Sequence, residues 1–125
     1  MSLHRYFVVL VAVIFLQACS MTLGNERMMI KQDSFVSNYP KIKEIVVEEA
    51  ANNGFGTLTS EVKPSQYNNW KGKLFFQLKT AAGTDQLWVE FSQRDGDIDV
   101  WVHGAGMRAN ADSASKAISA RLSQL

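Results

Sequence analysis

Residues 73–103, KLFFQLKTAAGTDQLWVEFSQRDGDIDVWVH, contain three runs in which apolar and polar residues alternate. Alternation with a period of two is typical of strands that bury one face. The runs Lys73–Thr80 and Gln86–Ser92 are separated by a short loop. The third run, Asp97–His103, follows Asp95-Gly96, a pair that two-residue hairpin turns favour. This stretch therefore predicts three consecutive antiparallel strands.

Further elements are predicted on both sides of this stretch. A fourth strand is expected over Thr57–Lys63, ending before Pro64, which cannot continue a ladder of hydrogen bonds. Helical spacing of apolar residues predicts helices over Tyr39–Asn53, with Pro40 in the first turn, and over Ala111–Leu125. The order α-β-β-β-β-α predicts an α+β domain in which a four-stranded antiparallel sheet carries two helices on one face.

The alternation also assigns side chains to the two faces of the sheet. One face is continuously apolar, and we expect it to pack against the helices. Its predicted members are Leu58, Val62, Leu74, Phe76, Leu78, Leu87, Val89, Phe91, Ile98, Val100 and Val102.

The opposite face carries three large aromatic residues, Phe75, Trp88 and Trp101. Tyr67 and Trp70, in the loop before the second strand, are predicted at the rim of this face. Exposed contiguous apolar surface usually marks an interaction site, and tryptophan and tyrosine are favoured anchors of interfaces. These five residues therefore form a candidate interaction site.

Two other interpretations of the aromatic face remain open. Aromatic residues favour strands, and aromatic pairs across neighbouring strands stabilise sheets without any partner. Alternatively, residues 19–35 fold across this face and cover it. The sequence alone does not decide between these interpretations and a partner, ligand or dimer surface.

The N-terminus has the features of an export signal. Arg5 precedes an apolar run of eleven residues, Tyr6–Leu16, which is too short to span a bilayer and fits a signal peptide. Leu16-Gln17-Ala18-Cys19 resembles the lipobox of bacterial lipoproteins. The resemblance implies removal of residues 1–18 and lipidation of Cys19.

The residue after that cysteine, Ser20, bears on location. In lipoproteins of two-membrane bacteria an aspartate there favours the inner membrane, so the resemblance implies the outer membrane, with the protein facing the periplasm. We expect residues 19–35 to be the lipidated N-terminus and a tether. Residues 36–125 are expected to form a single α+β domain.

Several function classes are disfavoured. With 13 Lys and Arg against 12 Asp and Glu, the chain lacks the basic excess of nucleic-acid binders, and a single cysteine excludes a multi-cysteine zinc site.

Gly104–Ala109 matches G-x-G-x-x-A, but an antiparallel sheet cannot complete a dinucleotide-binding βαβ unit, so no cofactor is expected. Asp95, Asp97 and Asp99 do not follow the calcium-loop pattern, so no metal is expected. No nucleophile motif or tuned acid–base pair stands out, which predicts a protein that is not an enzyme.

The sequence thus predicts a lipid-anchored accessory or assembly subunit of the cell envelope. Its expected partners are the membrane, through Cys19, and an envelope protein or a second copy of the chain. The alternative is a small module that binds an envelope glycan or an apolar ligand. In that module Trp88 and Trp101, joined by Trp70, would stack on sugar rings. Glu90, Asp99 and His103 would bind hydroxyls.

Overall fold

The computed structural model describes residues 22–106 and 109–125. The predicted signal peptide, Cys19 and Ser20 lie outside these residues. The described chain forms five strands, two α-helices and one short 3-10 helix, Gln66–Asn68. In chain order the main elements are β1 (Thr22–Lys31), α1 (Gln32–Asn52), β2 (Ser60–Val62), β3 (Gly72–Thr80), β4 (Gly83–Arg94), β5 (Asp97–Gly106) and α2 (Asn110–Leu122).

The predicted α+β class, with two helices and an antiparallel sheet, is confirmed, but the predicted number of strands is wrong. The sheet has five strands in the order β1-β5-β4-β3-β2, and every neighbouring pair is antiparallel. The additional strand, β1, comes from residues that we expected to form a tether. It pairs with β5 along its whole length, from Thr22 opposite Gly106 to Lys31 opposite Asp97. Without β1, the hydrogen-bonding edge of β5 would be open.

The first helix starts earlier than its sequence pattern indicates. It begins at Gln32, directly after β1, so Pro40 lies inside the helix and not in its first turn. A proline there removes one backbone hydrogen bond. Burial of Phe35 offsets this loss, because its ring is 1% exposed and lies 5.2 Å from the ring of Phe91. Packed structure therefore begins at β1 and includes Phe35, upstream of the predicted boundary at residue 36.

The core lies between the inner face of the sheet and the two helices. The predicted face assignment is confirmed for β3, β4 and β5. Leu78 is only partly buried, whereas the other predicted members on these strands are at most 2% exposed. The helices contribute apolar side chains to the same cluster, which are Phe35, Ile42, Ile45, Val46, Ala50, Ala111, Ala114, Ile118 and Leu122.

Strand β2 is the exception to the predicted faces. Val62 pairs with Lys73 and is 55% exposed, so it does not join the core. Its neighbour Glu61 pairs with Leu74 and accepts a hydrogen bond of 3.2 Å from the hydroxyl of Tyr39 on α1. The three-residue strand thus presents a carboxylate to the helix layer, where the alternation predicted a valine.

Glycines allow α2 to approach the sheet closely. A Cβ atom at Gly104 would lie 2.5 Å from the carbonyl oxygen of Ala111, and one at Gly24 would collide with the hydroxyl of Ser115. These contacts assign Gly104, the first glycine of the G-x-G-x-x-A match, a packing role. Met107 and Arg108 of that match lie outside the described residues.

Two-residue turns connect the central strands. Arg94 pairs with Asp97, so Asp95-Gly96 forms the predicted turn, and Asp95 adopts a φ of 56°. Thr80 pairs with Gly83, so the other turn is Ala81-Ala82. These turns set the registers that place the aromatic residues of the outer face.

Candidate interaction face of the sheet

The outer face, on the side of the sheet away from both helices, brings three of the predicted site residues together. Phe75 on β3 pairs with Trp88 on β4, and Trp88 pairs with His103 on β5. Glu90 pairs with Trp101, as the turn predicts, which places the two tryptophans diagonally across neighbouring strands. The side chains of all five residues are partly exposed.

Three rings on this face form a continuous stack, here called the aromatic ladder: Trp88, His103 and Trp101. The Trp88 and His103 rings are 4.9 Å apart between centroids and nearly parallel, at 11°. The His103 and Trp101 rings are 4.6 Å apart at 35°. Stacked and tilted aromatic pairs at these distances are favourable, so the three rings stabilise one another.

The imidazole of His103 is held mainly by its ring contacts. Its side chain is 19% exposed, and its Nε2 atom is buried without a hydrogen-bond partner among the described residues. The Oε2 atom of Glu90 lies 3.5 Å from this nitrogen, beyond an ordinary hydrogen-bond distance. The two indoles therefore define where the imidazole sits.

Cationic side chains flank the ladder on two sides. The Nζ atom of Lys73 on β3 lies 5.8 Å from the ring centroid of Trp88 and 5.4 Å from that of Phe75. On β1, the Cζ atom of Arg27 lies 5.1 Å from the ring centroid of Trp101. Cations within about 6 Å of a ring face are attracted by its π electrons. The face thus combines an aromatic centre with the ammonium group of Lys73 on one side and the guanidinium of Arg27 on the other.

Asp99 fixes the position of Arg27. The guanidinium donates two hydrogen bonds to this carboxylate, Nε to Oδ1 at 2.9 Å and Nη2 to Oδ2 at 2.5 Å. These hydrogen bonds hold the pKa of Asp99 below its usual value, against the opposing effect of burial. The indole nitrogen of Trp101 also donates a hydrogen bond to the side chain of Asn25. Strand β1 therefore fixes one end of the ladder.

Stacking occupies part of the ring faces on the ladder. Trp88 and His103 stack across two neighbouring strands. One face of Trp88 is covered by His103, and Lys73 reaches over its ring from the β3 side. The ring of Trp88 is therefore contacted from both strands that flank β4.

The two remaining predicted site residues lie elsewhere. Trp70 is partly buried and packs against the core cluster, so its predicted place at the rim of the outer face is wrong. It follows Asn69 in a left-handed backbone conformation, with φ values of 57° and 56°, a feature that the sequence pattern did not reveal. Tyr67 lies in the 3-10 helix before β3 and is 91% exposed.

One interpretation of the sequence placed residues 19–35 across the outer face. The structure contradicts it for residues 22–31, which do not cover this face. They lie in the plane of the sheet as its edge strand and extend the same face with Asn25, Arg27 and Met29, of which Met29 is 47% exposed. Sequence reasoning missed Asn25 and Arg27 because their segment was assigned to the tether. It also gave no role to Lys73, although the predicted strand contained it.

A separate concavity of about 320 Å³ lies at the other end of β1, between the start of α1 and the end of α2. Met28, Ile30, Ser34 and Leu122 are among its lining residues. No member of the aromatic ladder lines it. The concavity shares Met29 with the outer face but does not include the ladder.

Within residues 22–106 and 109–125, no group of three or more His, Cys, Asp or Glu side chains is arranged to hold a metal ion. No helix there is long and apolar enough to cross a membrane. Comparisons of the chain with protein-family models, with curated proteins and with solved structures gave no match.

Proposed function

We propose that this protein is a bacterial lipoprotein, anchored through Cys19 in the outer membrane and facing the periplasm, that acts as a non-enzymatic accessory or assembly subunit. Its docking site for another envelope protein is the outer face of the sheet. The lipobox-like segment supports the anchor, and the aromatic ladder supports the docking site.

The observation that carries the docking site is the fixed, partly exposed stack of Trp88, His103 and Trp101. Tryptophan and arginine are enriched among the residues that dominate binding energy at protein interfaces. Here the rings brace one another, and Asp99 holds Arg27 in place. Because these side chains are already ordered, binding a partner loses little side-chain entropy.

The orientation of the rings favours a protein partner over a glycan. A sugar ring stacks on a free aromatic face, whereas the faces of Trp88 and Trp101 contact His103 or lie near the cations of Lys73 and Arg27. The partly exposed rings can instead be enclosed by a complementary apolar surface on a protein. The ammonium group of Lys73 beside the rings suits a carboxylate on the partner.

The docking site can be tested by photo-crosslinking in cells. A photoreactive residue at Gln77, on the outer face of β3, should crosslink the partner, whereas one at exposed Lys41 on α1 should not. Replacing both tryptophans, Trp88→Ala with Trp101→Ala, should abolish the crosslink. Loss of an interface anchor typically weakens binding by at least about 2 kcal/mol per residue.

The matched control is Tyr67→Ala, which removes an exposed aromatic side chain outside the ladder. It should leave the crosslink intact. The double tryptophan variant should remain folded, with a loss in unfolding free energy of roughly 1–3 kcal/mol, since aromatic pairs contribute about 0.5–1.5 kcal/mol each. A crosslink that survives the double substitution, or that Tyr67→Ala removes equally, would contradict the proposed site.

The anchor has its own test. Cys19→Ala should abolish labelling of the protein by a radioactive fatty acid and leave unprocessed precursor, because the cysteine sulfur is the proposed acylation site. Normal lipid labelling of this variant would refute the lipoprotein assignment while leaving the docking face untouched.

A further inference from the structure

The proposed lipid anchor is very close to the folded domain. Only Ser20 and Met21 separate Cys19 from Thr22, the first residue of β1. Three residue steps span at most about 11 Å even when fully extended. Lipid on Cys19 therefore holds the start of β1 within about 11 Å of the bilayer surface.

The β3–β4 hairpin extends beyond Thr22, at the end of the sheet where β1 begins. Thr22 is level with Gly106, and the β4–β5 register places Asp85 at that height. Strands β3 and β4 continue past this point to the Ala81-Ala82 turn. At about 3.4 Å per residue, the turn projects roughly 10 Å beyond Thr22. It therefore extends about as far as the connection to Cys19 can reach.

The chemistry of this hairpin suits a layer of lipid headgroups. Ala81, Ala82 and Gly83 are small and exposed, and exposed Lys79 can pair with lipid phosphates. Asp85, the acidic residue nearest the turn, is 2% exposed. At the opposite end of the sheet, the β4–β5 turn exposes Asp95 beside Arg94.

From this geometry we infer that the domain docks on the lipid bilayer through the β3–β4 hairpin, with its strands pointing away from the membrane. The inference rests on the proposed lipidation of Cys19. It also limits the distance between the aromatic ladder and the membrane: Trp101 pairs with Arg27, five residues from Thr22. The aromatic ladder then lies within roughly 30 Å of the bilayer.

The test measures the distance of each end of the sheet from the bilayer. Full-length lipidated protein carrying Ala82→Cys or Gly96→Cys is labelled with a fluorophore and placed in phosphatidylethanolamine–phosphatidylglycerol vesicles with nitroxide quenchers on the headgroups. Gly96 is a suitable matched position because a Cβ atom there meets open space. We expect the label at position 82 to be quenched several-fold more than the label at position 96. Equal quenching, or stronger quenching at position 96, would overturn the inference.

A linker variant tests whether the short connection causes this orientation. Ten Gly and Ser residues inserted between Ser20 and Met21 should equalise the quenching at the two positions, because a flexible chain of that length frees the domain. A difference that persists would overturn the role of the short connection. Failure of the anchor itself is recognised separately: protein whose mass shows no lipid and that does not bind vesicles would refute the lipidation and this inference with it. Loss of the partner crosslink alone would leave the inference intact.

Discussion

Phe75 and Phe76 are consecutive residues of β3 with opposite environments. Phe76 is fully buried beneath the helices, whereas Phe75 is partly exposed on the outer face and lies beneath the ammonium group of Lys73. The inner face is stabilised by removal of apolar surface from water, which contributes about 25 cal/mol per Å². The outer face is stabilised by pairwise contacts among rings, cations and carboxylates.

This difference indicates how each face responds to change. A polar group on the inner face loses water and gains no partner, so the fold itself is at risk. A truncation on the outer face removes contacts that are individually worth about 0.2–1 kcal/mol, so the fold survives while the shape of the surface changes. The inner face therefore determines stability, and the outer face is free to serve binding.

The largest effect is expected from a charge on the inner face. Val100→Asp places a carboxylate at a position that is 0% exposed, between the sheet and the helices. An unpaired buried charge costs several kcal/mol, against a total stability of about 5–15 kcal/mol for a typical domain. Urea denaturation followed by circular dichroism should show an unfolded or barely stable protein. The control Gln77→Asp, on the outer face of the same sheet, should unfold cooperatively near the wild-type midpoint. A well-folded Val100→Asp variant would mean that the faces are reversed.

An intermediate loss of stability is expected on the inner face, where truncating Phe76 should cost more than truncating its neighbour Phe75. Phe76→Ala leaves a cavity in the core and should lower the unfolding free energy by about 3–5 kcal/mol. Phe75→Ala removes the same side chain from the outer face and should lower it by about 1 kcal/mol. Chemical denaturation of both variants measures the difference directly. Equal losses would show that the outer face is as tightly packed as the core.

The smallest effect should come from the ion pair on the outer face, and it should depend on pH. Arg27 lowers the pKa of Asp99 in the folded protein, so the ionised carboxylate stabilises the fold at neutral pH. As the pH falls below about 4 and through that lowered pKa, Asp99 takes up a proton and the contribution is lost. Asp99→Asn should therefore be less stable than wild type at pH 7, and the gap should narrow at pH 3. Asp95→Asn, in the exposed turn, controls for the loss of a negative charge. If the difference in stability between Asp99→Asn and wild type did not change with pH, the role of the Arg27–Asp99 ion pair would be contradicted.

Much of the candidate site was predictable because it depends on local patterns. Alternation assigned Trp88 and Trp101 to one face, and the Asp95-Gly96 turn set which residues lie opposite each other. A two-residue turn and a period of two leave little freedom in register. The stacking of His103 between the two indoles was not predictable, because it depends on how the rings rotate in the folded sheet.

Residues outside that pattern were assigned incorrectly, each for a tertiary reason. The TLGNERMMIK segment lacks regular alternation, and it forms a strand because β5 offers it an open edge. Phe35 belongs to the helix because its ring fits beside Phe91. Trp70 turns toward the core through a left-handed backbone conformation that sequence pattern does not encode.

The sequence by itself thus determined the three central strands, their turns and the separation of an apolar face from an aromatic one. Period-two alternation and turn chemistry act between near neighbours in the chain, so they can be recognised without the fold. Only the tertiary structure decided that a fifth strand completes the sheet and that Arg27 and Asn25 fix one end of the aromatic ladder. These contacts join residues more than 70 positions apart in the chain. Their energy is gained only once β5 is in place to pair with β1.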